Sequence, residues 1–287
     1  MGLNIRTNVE SIHAQNALNS TTNRLRKAYA RLSSGLRITT AADDAAGLAI
    51  AEQLHADSRI ATVAIRNAND GISIIAITDG AMSQMTDVLT RMDELAEQSA
   101  NGVYSTTQRS ALALEFTALG SELERIALTT TFNGLSLLNG LASVTFQVGF
   151  DGLSNSQVSY SGVQATLASM GLAATGSSSL IYSINAGTVQ LAQEASRSAI
   201  DAVSRAITSL TTNRGTLGAA ESRLNVAIQN LQIARENFTA AESRIRDVDV
   251  AEEAAELTRL NILQQAATAI VGQANQQPSL ALQLLQR

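Results

Sequence analysis

The sequence predicts a mainly α protein: a long antiparallel helical coiled-coil bundle of N- and C-terminal segments, joined through a small β-hairpin region. Three observations carry this expectation. Apolar residues recur at every seventh position through long stretches of both halves, the only proline is Pro278, and aromatics make up 3% of the chain, with no Trp. A chain almost free of proline keeps every backbone donor that a long helix needs. Small and branched apolar residues suit helix seams better than a deep ligand pocket, which is usually lined with larger rings.

The clearest element lies in the C-terminal third. Val203, Leu210, Leu217, Leu224, Leu231, Phe238 and Ile245 form a heptad series, followed three positions on by Ala206, Ala220, Ala227, Ala234 and Ala241. A Leu/Ala seam of this kind packs helices closely side by side. The N-terminal half carries a matching seam through Leu54, Ala61, Ala68, Ile75, Met82, Leu89, Ala96 and Val103. Within it, Asn67-Ala68-Asn69-Asp70-Gly71 admits either a continuous helix or a break. A third helix is expected where Leu112, Phe116, Leu119, Leu123 and Ile126 share one face.

The middle of the chain changes character. Residues 144–148 and 157–161 alternate with the two-residue period of strands around a Gly- and Asn-containing turn, which predicts a β-hairpin. Residues 162–186, rich in Gly and Ser, are expected to be irregular surface structure.

At the extreme ends the seams are shorter. Leu18, Leu25 and Leu32 precede Gly35, a suitable helix C-cap. Asp249, Glu252 and Glu253 mark a fresh helix start, whose face carries Leu257, Leu260, Gln264, Ala267 and Val271. Helices with so few buried positions are marginal alone in water. They are therefore expected to pair with each other and to draw further burial from neighbouring copies. The resulting division is 1–44 with 249–287 as terminal helices, and 45–248 as a longer helical part with a β-hairpin region at about 140–186.

Composition narrows the chemistry. The absence of Cys removes disulfides and thiolate metal sites. Lys27, the single lysine, and the arginines are scattered among 25 acids, without the clustered positive face that nucleic acid requires. No apolar run approaches the roughly 20 residues of a membrane span, and the start lacks the basic and apolar regions of a cleaved signal. His13 and His55, the only histidines, are far apart and read as solvent-facing. Asp43 and Asp44 are adjacent and so do not face each other on a helix; helix entry or a conformational joint is the expectation. Gly134, Gly140, Gly149 and Gly152 match neither a P-loop nor a dinucleotide fingerprint. Met82, Met85 and Met92 fall on seam positions, as core residues do. No enzyme, cofactor or metal is expected.

Several segments, taken together, resemble bacterial flagellin. They are Arg31-Leu32-Ser33-Ser34-Gly35-Leu36-Arg37-Ile38, Asp43-Asp44-Ala45-Ala46-Gly47, Arg66-Asn67-Ala68-Asn69-Asp70-Gly71-Ile72, Phe132-Asn133-Gly134, Ser243-Arg244-Ile245-Arg246-Asp247 and Gln273-Ala274-Asn275-Gln276. The resemblance covers about 1–160 and 190–287 and implies a short flagellin with little variable outer domain. It implies a structural subunit that polymerises with itself into the flagellar filament for swimming motility, with the terminal helices forming an inner tube and the longer ones an outer tube. Export unfolded through the flagellar type III route, an extracellular location, and an export chaperone and filament cap as partners follow from the same likeness. A hook–filament junction protein, which shares end-helix motifs, is the alternative. The family also presents a helix surface to an innate-immune Toll-like receptor, and the matching positions here are Arg91, Leu95 and Glu115.

Overall fold

In the computed structural model, residues 7–140, 143–160 and 162–285 are described, with the helix backbone alone from 277 onward. Among the described residues five α-helices and two small hairpins follow in order. They are α1 (Val9–Ser34), α2 (Ala45–Ala100), α3 (Thr106–Thr129), β1 (Thr131–Phe132), β2 (Leu135–Ser136), β3 (Val144–Gln147), β4 (Gln157–Tyr160), α4 (Val189–Arg246) and α5 (Val250–Leu285). The fold is mainly α, as the heptad patterns predict.

Helix α2 runs unbroken through Gly71. A Cβ at this position would lie 3.1 Å from both Phe146 and Leu224. The glycine thus lets the β3–β4 ribbon and α4 approach the helix backbone, and does not break the helix. The heptad reading overshoots at the far end, because α2 stops at Ala100 and Val103 is 79% exposed. Asn101 accounts for the stop: its Oδ1 accepts the Val103 N–H at 3.2 Å, a local turn that competes with helix. Ser105 then opens α3 with a reciprocal capping box to Gln108.

The chain divides into two compact units, one made of residues 1–58 and 236–287 and the other of residues 59–235. In the second, the core combines Met82, Met85, Leu89, Met92 and Leu95 of α2, Phe116 and Leu123 of α3, and Val203, Leu210, Leu217 and Leu224 of α4, all at 1% exposure or less. Hairpin β3–β4 pairs Val144 with Tyr160 and Phe146 with Val158. One face is thereby apolar, and Phe146 stacks on Tyr160 with ring centroids 6.3 Å apart. Burial pushes the Tyr160 hydroxyl above its ordinary pKa.

Within residues 162–186 the expectation of surface structure is wrong. The segment is irregular, yet Ala165, Leu167, Leu172 and Ile184 have no exposure. Its backbone groups find partners without a regular ladder: Ala165 N–H donates to Leu138 O at 2.8 Å, and Leu172 N–H to Leu167 O at 2.8 Å. Isolated apolar anchors separated by small residues let a non-periodic chain enter the core while its backbone stays bonded.

In the first unit, α1 and α5 pack together around Leu25, Ala28 and Leu260, with Leu257 against them. Gly35 ends α1 in the left-handed conformation (φ 73°), its N–H bonded to Arg31 O at 2.8 Å. Asp249 Oδ1 accepts the Ala251 and Glu252 N–H groups at the start of α5.

Candidate functional site

The candidate functional residues of this chain lie on helices and group into surfaces. Among the described residues no three or more His, Asp or Glu side chains cluster as metal ligands, and no helix is long and apolar enough to cross a membrane. A cavity of about 240 Å³ is lined by Phe116, Leu167, Leu180, Tyr182 and Ile184 together with Ser and Thr hydroxyls, and its lining holds no His, Asp or Glu to activate them.

The terminal pair is the first such surface. Leu25 and Leu260 are buried, while Leu18, Leu32, Leu257, Ala267 and Val271 are half-buried. Both helices also carry partly exposed apolar residues: Val9, Ile12 and Tyr29 on α1, and Ile262, Leu263 and Ile270 on α5, all between 41% and 62% exposed. Ordinary solvated helices present charge at such positions.

The connections out of this pair are tightly bonded. Leu36 bridges Asp247 in antiparallel fashion, Arg37 N–H donates to Arg246 O at 2.6 Å, and Val248 N–H to Gly35 O at 3.0 Å. The Arg37 guanidinium adds a bond to Ile245 O at 2.6 Å. Asp43 and Asp44 divide the work at the entry to α2. Asp44 Oδ1 accepts the Gly47 N–H, an N-cap role. Asp43 takes Lys27 at 3.1 Å together with the hydroxyls of Thr39 and Thr40. These partners, Lys27 foremost, hold its carboxyl well below the usual carboxylate range. His13 is exposed, and His55 is half-exposed with Nδ1 3.2 Å from Glu242.

The second surface lies on α2 and α3. Arg91 is exposed and forms ion pairs with Glu94 at 2.8 Å and Glu115 at 2.9 Å, fastening the two helices together. Leu95 stands differently from its expected contact position, for it has no exposure and packs in the core beneath that pair. The helical period explains this: Leu95 lies three residues from Met92, and both fall on the buried stripe. Neighbouring Asp93 is raised above its ordinary pKa by burial and then by Glu97, and its Oδ1 has no partner.

Along the long helices, Ile75, Met82, Leu89, Val203, Leu210, Leu217, Leu224 and Leu231 are buried, whereas Leu54, Phe238 and Ile245 are only half-buried. These buried seam residues all lie within residues 59–235, and the half-buried ones outside them. Pattern reasoning missed Arg109, which has no exposure and donates to Asn101 O at 2.8 Å and Val189 O at 3.0 Å. It ties the end of α2 and the start of α4 to α3, and its charge meets the negative end of the α2 dipole. An Arg between the polar neighbours Gln108 and Ser110 gives no sign of this burial. Pattern reasoning also missed the β1–β2 hairpin, although Asn133-Gly134, both at positive φ, is a two-residue turn signal.

The helical frame with these surfaces is matched by known proteins at both ends. The family model of the bacterial flagellin N-terminal helical region matches residues 5–143, and that of the C-terminal helical region matches residues 200–285. The chain belongs to the bacterial flagellin family. A flagellin of Halalkalibacterium halodurans is 42% identical over 282 residues, covering 98% of this chain and 99% of that protein. Bacillus subtilis flagellin is 37% identical over 311 residues, covering 99% of this chain and all of that protein. The flagellar filament 33 kDa core protein of Treponema phagedenis is 36% identical, covering 98% and 99%. A crystal structure of Bacillus cereus flagellin covers 58% of this chain and 88% of its own, at 24% identity and a TM-score of 0.48. This flagellin is a structural subunit of the bacterial flagellar filament, in a short form, and nothing in these matches favours a hook–filament junction protein.

Proposed function

We propose that this flagellin polymerises through the partly exposed apolar residues of α1 and α5, with residues 1–44 and 249–287 as the assembling part and 45–248 as the body of the subunit. The observation that carries the reading is the mismatch between ends and middle. Among the described residues the terminal pair buries one small apolar cluster, Leu25, Ala28 and Leu260, and leaves Ile12, Tyr29, Ile262 and Ile270 about half exposed or more. A second copy is the partner that covers such residues without any other chemistry. The subunit leaves the cell unfolded through the flagellar export route, escorted by an export chaperone, and is placed outside beneath a filament cap. It performs no catalysis. Family membership supports each of these steps.

Seeded polymerisation followed by electron microscopy tests the assembly reading. The full chain is expected to elongate seeds, and a chain lacking Pro278–Arg287 to stay soluble and unpolymerised; normal filaments from the truncated chain would overturn the role of the ends. The host-receptor surface is proposed for Arg91 and Glu115, which are exposed and adjacent, with Leu95 supporting them from below. Arg91→Ala is expected to weaken receptor signalling by the monomer, and an unaltered dose response would count against that contact.

A further inference from the structure

We propose that Asn8 and Pro278 together form a register lock between α1 and α5. Pro278 lies inside α5, which continues to Leu285. Proline has no backbone N–H, so the carbonyl four residues earlier, that of Ala274, loses its helical donor. Ala274 is only 8% exposed, which limits what water supplies to that oxygen. The replacement donor comes from the opposite end of the sequence: Asn8 Nδ2 lies 2.7 Å from Ala274 O.

Asn8 is at the same time the N-cap of α1, its Oδ1 accepting the Ser11 N–H at 3.0 Å. The amide has one face for each task, and only one orientation satisfies both. Ser11, itself 5% exposed, completes the arrangement by donating its hydroxyl to Asn275 Oδ1 at 2.6 Å. Two consecutive residues of α5 are thus read by two residues of the first turn of α1.

The residue types follow from this double duty. Asp caps a helix as well as Asn does, but an ionised carboxylate has no hydrogen to give the Ala274 carbonyl. The chain has a single proline, so it frees one interior carbonyl and defines one alignment. Sliding α5 by one residue along α1 would separate the Asn8 amide from that carbonyl and leave both without a partner, which hydrophobic contacts between Leu, Ala and Ile would not penalise. Apolar packing makes the two helices adhere, and the lock decides where they stop.

A double-mutant cycle in the full-length protein tests the lock. Its readouts are the critical concentration for seeded elongation and the heat-dissociation temperature of the filaments. Asn8→Asp keeps the cap and removes the donor, and it is expected to raise the critical concentration about tenfold, the scale of one lost buried hydrogen bond. Pro278→Ala restores a backbone N–H to Ala274 O. In that background Asn8→Asp is expected to change the critical concentration less than about twofold. An equal penalty in both backgrounds, loss of assembly in both included, would overturn the lock and leave Asn8 as a helix cap alone. No penalty from Asn8→Asp in the parent chain would overturn it as well. Parent protein that forms no filaments would instead count against the assembly reading.

Discussion

Residues 59–235 and the paired ends use the same kind of helix and fill it differently. In the first region Leu89, Leu217 and Leu224 are at 1% exposure or less, joined by Phe116, Leu138 and Leu167 from non-adjacent segments. In the second, the buried cluster is Leu25, Ala28 and Leu260, while Tyr29 and Ile262 are more than half exposed. Among the described residues the first region builds a large buried cluster within the chain, although Val103 and Leu114 in it remain exposed, and the second builds a small one. The paired ends therefore have less apolar burial to hold them together than the middle has.

Creating the same cavity in both regions separates their roles. Leu217→Ala is expected to lower monomer stability by roughly 2–5 kcal/mol, measured by thermal or denaturant unfolding. Leu260→Ala is expected to leave the unfolding of residues 59–235 in place and to raise the critical concentration for polymerisation. Equal losses of monomer stability would erase the distinction between the regions.

A smaller effect is expected from Arg109→Met, which strands the carbonyls of Asn101 and Val189 and should cost about 1–3 kcal/mol, read from the denaturant midpoint at constant slope. The bidentate pair between Arg214 and Asp79, with contacts of 2.7 and 3.1 Å, is partly solvated. A double-mutant cycle there should give under about 1 kcal/mol, and less as salt is added. The smallest effect concerns acid. Asp43 is held below its ordinary pKa by Lys27 and two threonines. Its contribution is therefore fully present above about pH 4, the ordinary aspartate range, and is lost as pH falls through the lower folded value. Faster hydrogen exchange across residues 36–44 in acid is expected, and Asp43→Asn should abolish that pH dependence while loosening the segment at neutral pH.

Much of this was legible because long helices repeat their instructions. Every seventh residue from Val203 to Ile245 states the same face, so a single misread position changes little. Gly71 and Leu95 show where repetition stops helping. The glycine was ambiguous because its role is defined by Phe146, 75 positions away. Leu95 belonged to a surface by likeness and to the core by its distance from Met92. The irregular segment 162–186 was misread because it has no period at all. Its anchors are buried by tertiary contacts with residues such as Leu138, and small residues between them look the same in a loop and in a core. Arg109 was invisible for a related reason, since its partners are backbone carbonyls, which every sequence has.

The bonds that close the terminal unit join residues at opposite ends of the sequence: Asn8 meets Ala274, Leu36 meets Asp247, and Arg37 meets Ile245. Separations of more than 200 residues make this the part of the molecule with the highest contact order, and chain closure over such distances is slow. For a chain delivered end-first through a narrow passage, the consequence is a fixed sequence of events. Residues 59–235 have all their partners before the last segment appears, whereas the terminal pair has none until both ends are out. Whichever end leads, the terminal pair is the last part of the subunit to become complete.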